Sequence, residues 1–244
     1  MNEEQKTVVL TGASRGIGHA TVKRFNDAGW RVLTCSREVF DSRCPWPGGK
    51  KNHIQVDLSD PKSTIEATDE IKDKLDGKLC ALINNAGVSP KLVDGQRLNS
   101  LETELKIWHQ VFQVNFFAPI LLAKALKNEL ERAKGAIVNV TSIAGSRVHP
   151  FAGAAYSTSK SALATLTREM ACDFGPLGVR VNAIAPGEVQ TNMLSEGTDK
   201  IVAGLPLGRI GQPSEVADAI YFLCSASSSY MTGSELSING GQHV

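Results

Sequence analysis

VVLTGASRGIG, residues 8–18, joins an apolar strand pattern to a glycine-rich turn and then to the start of a helix pattern. Gly12 lets the chain leave the strand sharply, Gly16 lets backbone amides approach a phosphate, and Gly18 lets the helix pack tightly on the strand. The amino terminus of that helix offers free N–H groups and a positive dipole end to a pyrophosphate. An ordinary glycine turn is the alternative, but the position after the first strand favours a nucleotide site. The candidate contacts are Gly12, Ser14, Arg15, Gly16, Ile17 and Gly18.

Outside this turn, short apolar runs alternate with longer amphipathic stretches. Their Val, Ile and Leu content suits strands buried on both faces, as in a parallel sheet. The alternation predicts a single doubly wound Rossmann domain of the α/β class over residues 1–244, with a central parallel sheet of about seven strands and helices on both faces. Predicted strands are Thr7–Leu10, Arg31–Cys35, His53–Val56, Leu79–Ile83, Ala136–Thr141, Val179–Ile184 and Glu235–Ile238. Predicted helices cover about 16–28, 62–75, 101–131 with a break, 155–174 and 213–225.

Composition and charge argue against several classes of partner. Lys plus Arg number 26 against 25 Asp plus Glu, so the net charge of +1 gives no electrostatic footprint for nucleic acid or an anionic membrane. The polar start, MNEEQK, lacks the apolar centre of a signal peptide, and the apolar run 116–123 is far shorter than the roughly 20 residues of a membrane span. Scattered cysteines, never spaced as CxxC, predict neither a disulfide framework nor a metal site. We therefore expect a cytoplasmic protein with a small-molecule substrate and no metal, nucleic acid or membrane partner.

The end of the second predicted strand indicates which nucleotide the turn would bind. An Asp or Glu at this place bonds the ribose 2′-hydroxyl and favours NAD, whereas this chain has Ser36 followed by Arg37. Arg37 and Arg15 together can clamp a 2′-phosphate through charge-assisted hydrogen bonds. The sequence therefore predicts NADP(H) as the cofactor. Glu38 dilutes the positive charge, and two solvated arginines are the alternative.

Two segments lack a regular pattern. Residues 38–52, EVFDSRCPWPGGKKN, hold two prolines and two glycines, which disfavour a full helix. Residues 188–212 are rich in glycine and polar side chains and follow a strand that ends at the candidate site. We expect a mobile substrate flap there, with a plain surface loop as the alternative.

Tyr156 and Lys160 lie four residues apart on a predicted helix and therefore share one face. A phenol is a poor base at neutral pH, and a neighbouring ammonium lowers its pKa. The strand before this helix ends in Ser142, and NNAG at 84–87 ends the fourth predicted strand. Asn115 stands among apolar residues of a helix, where the alternative to a catalytic role is an amide that satisfies backbone groups or bends the helix.

In their order and spacing these residues resemble the short-chain dehydrogenase/reductase family over about residues 6–241. The resemblance implies an oxidoreductase that transfers a hydride between NADP(H) and a carbonyl or secondary alcohol, in a homotetramer or homodimer. The chain departs from the family in the missing helix after Arg37 and in Asn239, where the family often has Asp. The matching pieces are TGASRGIG at 11–18, Asp57, NNAG at 84–87, Asn115, Ser142, Tyr156 with Lys160, Pro186-Gly187 with Thr191, Thr232-Gly233 and Gly240-Gly241.

The resemblance also implies a role for each candidate residue. Tyr156 would protonate the carbonyl oxygen in reduction and act as the base in oxidation. Lys160 would lower the pKa of Tyr156 and bond the nicotinamide ribose, and Ser142 would polarise the substrate oxygen. Asn115 would position a water that links Lys160 to solvent. The implied cofactor contacts, with Asp57 at the adenine and Thr191 at the carboxamide, are Arg37, Asp57, Asn85, Ala86, Gly87, Tyr156, Lys160, Pro186, Gly187 and Thr191.

Other functions stay open at this stage. One is 3-oxoacyl-thioester reduction on an acyl carrier protein, which needs basic patches near the site; Arg132 and Lys134 are the candidates. Another is a non-catalytic nucleotide-sensing protein of the same fold, which the four filled catalytic positions disfavour. His149, in the loop between Ser142 and Tyr156, is a candidate substrate contact, although a lone loop histidine is more often a surface residue.

Overall fold

The computed structural model describes residues 5–42, 44, 46–93, 95–194 and 197–244. A seven-stranded parallel sheet with the order β3-β2-β1-β4-β5-β6-β7 forms its centre, which confirms the predicted doubly wound α/β class. The strands are β1 Thr7–Thr11, β2 Arg31–Ser36, β3 His53–Gln55, β4 Ala81–Asn84, β5 Ala136–Val140, β6 Arg180–Pro186 and β7 Glu235–Ile238. The helices are α1 Gly16–Asp27, α2 Pro61–Lys74, α3 Leu105–Phe112, α4 Ala118–Ala125, α5 Lys127–Ala133, α6 Ala154–Phe174, α7 Thr198–Val202 and α8 Pro213–Cys224.

The two faces of the sheet carry separate apolar cores because successive side chains of a strand point to opposite faces. Val9 packs into the core that also holds Ile71 of α2 and Met170 of α6. Its neighbour Val8 packs into the core on the other face, with Phe25 of α1 and further residues of α8. Helices therefore cover both faces, and the carboxyl ends of the strands stay open for a ligand.

The predicted helix 101–131 is interrupted more than once. A π-helical segment, Gln113–Phe117, separates α3 from α4. Pro119 explains the break, because proline has no N–H to donate to the carbonyl of Asn115 four residues earlier, and its ring crowds that carbonyl. The interruption places Asn115 on the inside of the fold, fully buried.

The segment after β2 contains no α-helix among its described residues, as its prolines and glycines predicted. A 3-10 turn, Gly49–Asn52, leads into β3. Trp46 packs edge-on against His19 of α1, with ring centroids 4.7 Å apart, so this irregular segment folds back over the first helix. Residues 43 and 45 lie outside the described residues.

The predicted flap, residues 188–212, holds the short helix α7, which no sequence pattern indicated because five residues are too few to show a period. Val189 pairs with Gly211, which closes the segment at its base. Residues 195 and 196 of the flap lie outside the described residues, and its mobility stays a prediction. Within the described ranges, no helix has both the length and the apolar character to span a bilayer.

Candidate active site

A cavity of about 990 Å³ opens at the carboxyl ends of the central strands, between β1 and β4 where the strand order reverses. Such a switch point is the usual ligand site of an open α/β sheet. Every predicted cofactor contact lines this cavity, and so do Ser142, Tyr156 and Lys160. Asn115 is not part of the lining and lies buried behind it.

The glycine-rich turn has the geometry of a phosphate cradle. Gly12 has a φ of +68°, and a Cβ on it would lie 2.8 Å from the Cα of Ala86; a Cβ on Gly18 would lie 2.0 Å from the carbonyl oxygen of Gly12. Asn85 fixes the turn, because its Nδ2 donates to the carbonyl oxygens of Thr11 and Gly12, both at 3.0 Å. No side chain caps the amino terminus of α1, so its N–H groups remain available. These features fit the pyrophosphate of a dinucleotide.

The end of the cavity beside β2 is open and charged. Arg15, Arg37 and Asp57 are all exposed and line the cavity. The hydroxyl and the backbone N–H of Ser59 hold the pKa of Asp57 below its usual value, and the Arg37 guanidinium adds to this lowering. Within the described ranges, neither arginine is part of an ion pair. Both guanidinium groups are therefore available to an anionic ligand.

At the carboxyl end of β5, the charged side chain that lines the cavity is buried instead of exposed. Lys160 is 3% exposed, and its Nζ donates to the carbonyl oxygen of Val140 at 2.6 Å. Burial lowers the pKa of Lys160 to about 8. Ser142 caps a short 3-10 turn by accepting from the N–H of Ala144 at 3.2 Å, and its hydroxyl acts to lower the pKa of Tyr156.

The pKa of Tyr156 departs from the sequence expectation. Burial raises the pKa of this phenol; the hydrogen bond from Ser142 opposes the change, and the carboxylate of Glu188 adds to it. The Lys160 ammonium lies 5.8 Å from the centroid of the Tyr156 ring. In the chain alone, desolvation of the phenolate outweighs any help from Lys160, so the phenol is held in its protonated form.

Asn115 makes a closed set of hydrogen bonds. Its Oδ1 accepts from the N–H of Val88 at 2.8 Å, and its Nδ2 donates to the Val88 carbonyl at 3.1 Å and to the Ser159 hydroxyl at 3.0 Å. A Cβ on Gly87 would lie 3.3 Å from the Lys160 Nζ and 3.5 Å from the Asn115 Oδ1. Asn115 therefore satisfies backbone groups, which is the alternative role that the sequence left open, and it lies across Gly87 from the Lys160 ammonium.

His149 is not a surface residue. It is 8% exposed, and its Nε2 lies 2.6 Å from the Oε1 of Glu188 at the wall of the cavity. Glu188 was not predicted from the sequence, because no local pattern distinguishes it from the other polar residues of the flap, 188–212. The pairing joins positions 39 residues apart, which no local pattern can show.

Comparison with known proteins identifies the family. A family model described as enoyl-(acyl carrier protein) reductase matches residues 12–243. An oxidoreductase of the short-chain dehydrogenase/reductase family from Brucella ovis, solved with a partially ordered NAD, is 61% identical, with a TM-score of 0.84 over 97% of this chain and 100% of that one. This chain belongs to the short-chain dehydrogenase/reductase family. It is accordingly an oxidoreductase with a nicotinamide nucleotide site.

Two curated relatives extend the comparison. Protein FixR of Bradyrhizobium diazoefficiens is 59% identical over 244 residues, which is 99% of this chain and 88% of that protein. The meso-2,3-butanediol dehydrogenase of Serratia marcescens is 34% identical over 248 residues, with 99% of this chain and 96% of that protein covered. The likeness therefore spans 99% of this chain and most of the length of each relative.

Proposed function

We propose that this short-chain dehydrogenase/reductase is an NADP(H)-dependent reductase of a small carbonyl compound, which also oxidises the matching secondary alcohol. The observation that carries the proposal is the convergence of Ser142, Tyr156 and Lys160 in the cavity that also contains the phosphate cradle. When bound, the nicotinamide cofactor supplies the hydride that reduces the carbonyl carbon, or accepts it in the reverse direction. The chain's own residues hold the substrate and supply the proton that the carbonyl oxygen takes up.

Tyr156 is the proton donor in this proposal. The phenol of Tyr156 carries its proton at neutral pH, as a free phenol does, and can transfer it to the carbonyl oxygen as the alcohol forms. The Ser142 hydroxyl, which lines the same cavity as the phenol, donates a second hydrogen bond to the same carbonyl oxygen in this proposal.

Lys160 and Asn115 serve the resupply of that proton. A lysine with a pKa of about 8 can release and regain a proton near neutral pH, which an ordinary lysine cannot do. Asn115 lies next to the Lys160 ammonium across Gly87 and is locked by its bonds to Val88. In the proposed relay, Asn115 is a positioning residue and Lys160 is the group that exchanges the proton.

The preference for NADP(H) rests on Arg15 and Arg37. Each charge-assisted hydrogen bond to a 2′-phosphate contributes about 1.5–3 kcal/mol, and both guanidinium groups reach the cavity. The Brucella ovis relative was solved with a partially ordered NAD. The proposed preference of this chain for NADP(H) is therefore based on Arg15 and Arg37 and not on that relative. Glu38, the acid nearest in sequence, is exposed and uses its backbone carbonyl to accept from Ser36 and His53.

Purified protein tests the proposal directly. Oxidation of NADPH and of NADH is followed in the presence of ketones, aldehydes, quinones and 3-oxoacyl thioesters. We expect turnover of at least one ketone or aldehyde, with NADPH preferred over NADH. Tight NADPH binding without turnover of any compound supports the nucleotide-sensing alternative, and absence of binding by both cofactors overturns the proposal.

The structure corrects one expectation about the acyl-carrier alternative. Arg132 and Lys134 precede β5 and therefore lie at the amino edge of the sheet, whereas the cavity opens at the carboxyl edge. Their charged groups are also engaged, Arg132 with the Gly77 carbonyl at 3.2 Å and Lys134 with the Leu177 carbonyl at 3.0 Å. These two cations do not flank the cavity of their own chain. The acyl-carrier alternative therefore loses the two residues on which it was based, and we propose a small free carbonyl compound as the substrate.

Assembly and location follow from the resemblance and the cysteine pattern, and both stay predictions. Leu105 and Phe117 are large apolar side chains that lie exposed within residues 101–131, at 68% and 47%. A homodimer or homotetramer would cover them. Light scattering on the purified protein gives the mass of the particle, and a monomer at working concentration contradicts this part of the proposal.

A further inference from the structure

The cavity wall beside Tyr156 carries a buried carboxylate that the reductase mechanism does not use. The side chains of His149 and Glu188 are each 9% exposed, and the His149 Nε2 lies 2.6 Å from the Glu188 Oε1. Both residues line the cavity. A carboxylate is rarely buried unless a partner bonds it, and here the partner is the imidazole.

The hydrogen bonds of the ring determine the charge of the pair. The backbone N–H of Phe151 donates to the Nδ1 of His149 at 3.2 Å, so this nitrogen carries no proton. The proton is therefore on Nε2, which donates it to Glu188. A neutral ring bonded to an ionised carboxylate leaves the pair with one negative charge.

Neighbouring groups hold Glu188 in place without neutralising it. The backbone before Glu188 packs closely, because a Cβ on Gly187 would lie only 2.6 Å from the Asn239 Cβ. The carbonyl oxygen of Glu188 accepts a hydrogen bond from the Gly211 N–H at 2.9 Å. The nearby Arg97 guanidinium bonds the carbonyl oxygen of His149 instead of the carboxylate. In the described part of the chain, the His149 ring is the one group that bonds the Glu188 carboxylate, through Oε1. Oε2 is left for a ligand.

The position of this charge defines a substrate class. Glu188 lines the same cavity as Ser142 and Tyr156, and its carboxylate raises the pKa of the Tyr156 phenol. A hydroxyl group next to the reacting carbonyl can donate to Oε2, whereas a second carboxylate there meets charge repulsion in a site with little water.

We propose that Glu188, oriented by His149, is a specificity-determining residue that accepts a hydrogen bond from a hydroxyl group vicinal to the reacting carbonyl. The substrate class is then hydroxy ketones and, in reverse, vicinal diols. This inference rests on the proposed reductase function. A polar acceptor of this kind discriminates strongly against a substrate that lacks the donor, because the acceptor would otherwise be desolvated without a partner.

Three compounds of similar size test the inference with the full-length protein and NADPH: 3-hydroxybutan-2-one, butan-2-one and 2-oxobutanoate. For the wild type we expect kcat/KM to be at least about tenfold higher for the hydroxy ketone than for the plain ketone, and lowest for the 2-oxo acid. Equal kcat/KM for the first two overturns the inference while leaving the reductase function intact. No turnover of any carbonyl compound overturns the reductase function itself, and the inference falls with it.

Glu188→Gln and Glu188→Leu sharpen the test. Glu188→Leu is expected to bring the ratio of kcat/KM between hydroxy ketone and plain ketone close to one, and Glu188→Gln to retain part of it because an amide oxygen still accepts. Both variants should raise kcat/KM for 2-oxobutanoate relative to butan-2-one by about tenfold, a gain that misfolding cannot produce. Glu169→Gln, at an exposed position of α6, controls for net charge and should leave both ratios unchanged. Ratios unaffected by both Glu188 variants contradict the assignment.

Binding of the alcohol product gives a second readout that does not depend on turnover. Butane-2,3-diol should bind the protein–NADP⁺ complex at least about tenfold more tightly than butan-2-ol, and Glu188→Leu should remove the difference. Equal affinity of the two alcohols for the wild type contradicts the inference.

Discussion

The two ends of the cavity are built differently. At the chemistry end, Lys160 and Asn115 are buried, and each is bonded to backbone atoms of the chain. At the adenosine end, Arg15, Arg37 and Asp57 are exposed. The first set is held by packing before any ligand arrives. In the second set Ser59 holds Asp57, whereas the two exposed arginine side chains lose conformational freedom when a ligand binds.

This difference predicts which measured property a substitution at each end of the cavity will change. A buried, hydrogen-bonded group is costly to move, so changes at the chemistry end should alter the rate and the stability. An exposed arginine gives up side-chain entropy only when the ligand binds, so changes at the adenosine end should alter affinity and little else.

The largest effect is expected for Tyr156→Phe, which removes the proton donor and keeps the ring. The general acid contributes about a thousandfold, so kcat should fall by about that factor, while the dissociation constant for NADPH stays within about twofold. Steady-state kinetics and cofactor titration measure the two quantities. Tyr230→Phe, at a fully exposed tyrosine, is the matched control and should change neither. Retention of more than about a tenth of the rate in Tyr156→Phe would show that another group supplies the proton.

Lys160→Met probes the buried ammonium through the pH dependence of stability. Burial lowers the pKa of Lys160 from 10.5 to about 8, so between these values the unfolded chain binds more protons than the folded one, and wild-type stability rises with pH. The cost of the buried charge is fully present below about pH 8 and disappears above about pH 10.5. The free energy of unfolding of the variant minus that of the wild type should therefore fall by about 3 kcal/mol across this window.

Denaturant unfolding at a series of pH values measures that difference. The lost hydrogen bond to Val140 adds a term that does not depend on pH, so the slope is the readout. Lys124→Met, at an exposed lysine of α4, should give a flat difference. A flat difference for Lys160→Met as well would contradict the burial argument.

Arg37→Ala tests the open end of the cavity. Loss of one charge-assisted hydrogen bond should weaken NADPH binding by about tenfold or more, corresponding to about 1.5–3 kcal/mol, and should leave NADH affinity unchanged. Arg37→Asp should lower the preference for NADPH further by repelling the 2′-phosphate. Isothermal titration with both cofactors measures the ratio, with the exposed Arg168→Ala of α6 as control. If the wild type binds both cofactors equally and Arg37→Asp leaves the ratio unchanged, the NADP(H) assignment is wrong.

The smallest effect is expected for Ser59→Ala. Ser59 lowers the pKa of Asp57 through its hydroxyl and backbone N–H, and the variant loses the hydroxyl bond. A carboxyl group whose pKa is lower in the folded than in the unfolded protein adds stability at pH values above its unfolded-state pKa. This stability is lost as the pH falls through its folded-state pKa. Because Asp57 is exposed, the change at neutral pH should stay below about 0.5 kcal/mol. NMR titration of the Asp57 carboxyl should show its pKa moving up, and an unchanged pKa contradicts the assigned cause.

Local patterns were sufficient for most of the fold. The alternation of apolar strands with amphipathic helices predicted the parallel sheet, as the structure confirms. The interruption of the helix at Asn115 was predicted only in part. Its cause, Pro119 four residues later, is visible in the sequence, but the inward position of the asparagine depends on what packs against the helix.

The candidate site likewise has features that the sequence predicted and features that it did not. The glycine turn and the Tyr156–Lys160 spacing are local, so the sequence predicted them, and the structure brings them into one cavity. The pairing of His149 with Glu188 joins two loops, and the raised pKa of Tyr156 comes from burial. Neither has a signature within a window of a few residues.

By itself, the sequence determined the α/β class, and it predicted the phosphate turn, the candidate catalytic side chains and the cations at the end of β2, because each depends on residue type and short-range spacing. Only the tertiary structure decided where groups from distant segments lie. It places Glu188 in one cavity with Tyr156, Asn115 behind Lys160, and Arg132 with Lys134 away from the cavity. Protonation and specificity depend on desolvation and on contacts between distant segments. Those quantities exist only once the chain has folded.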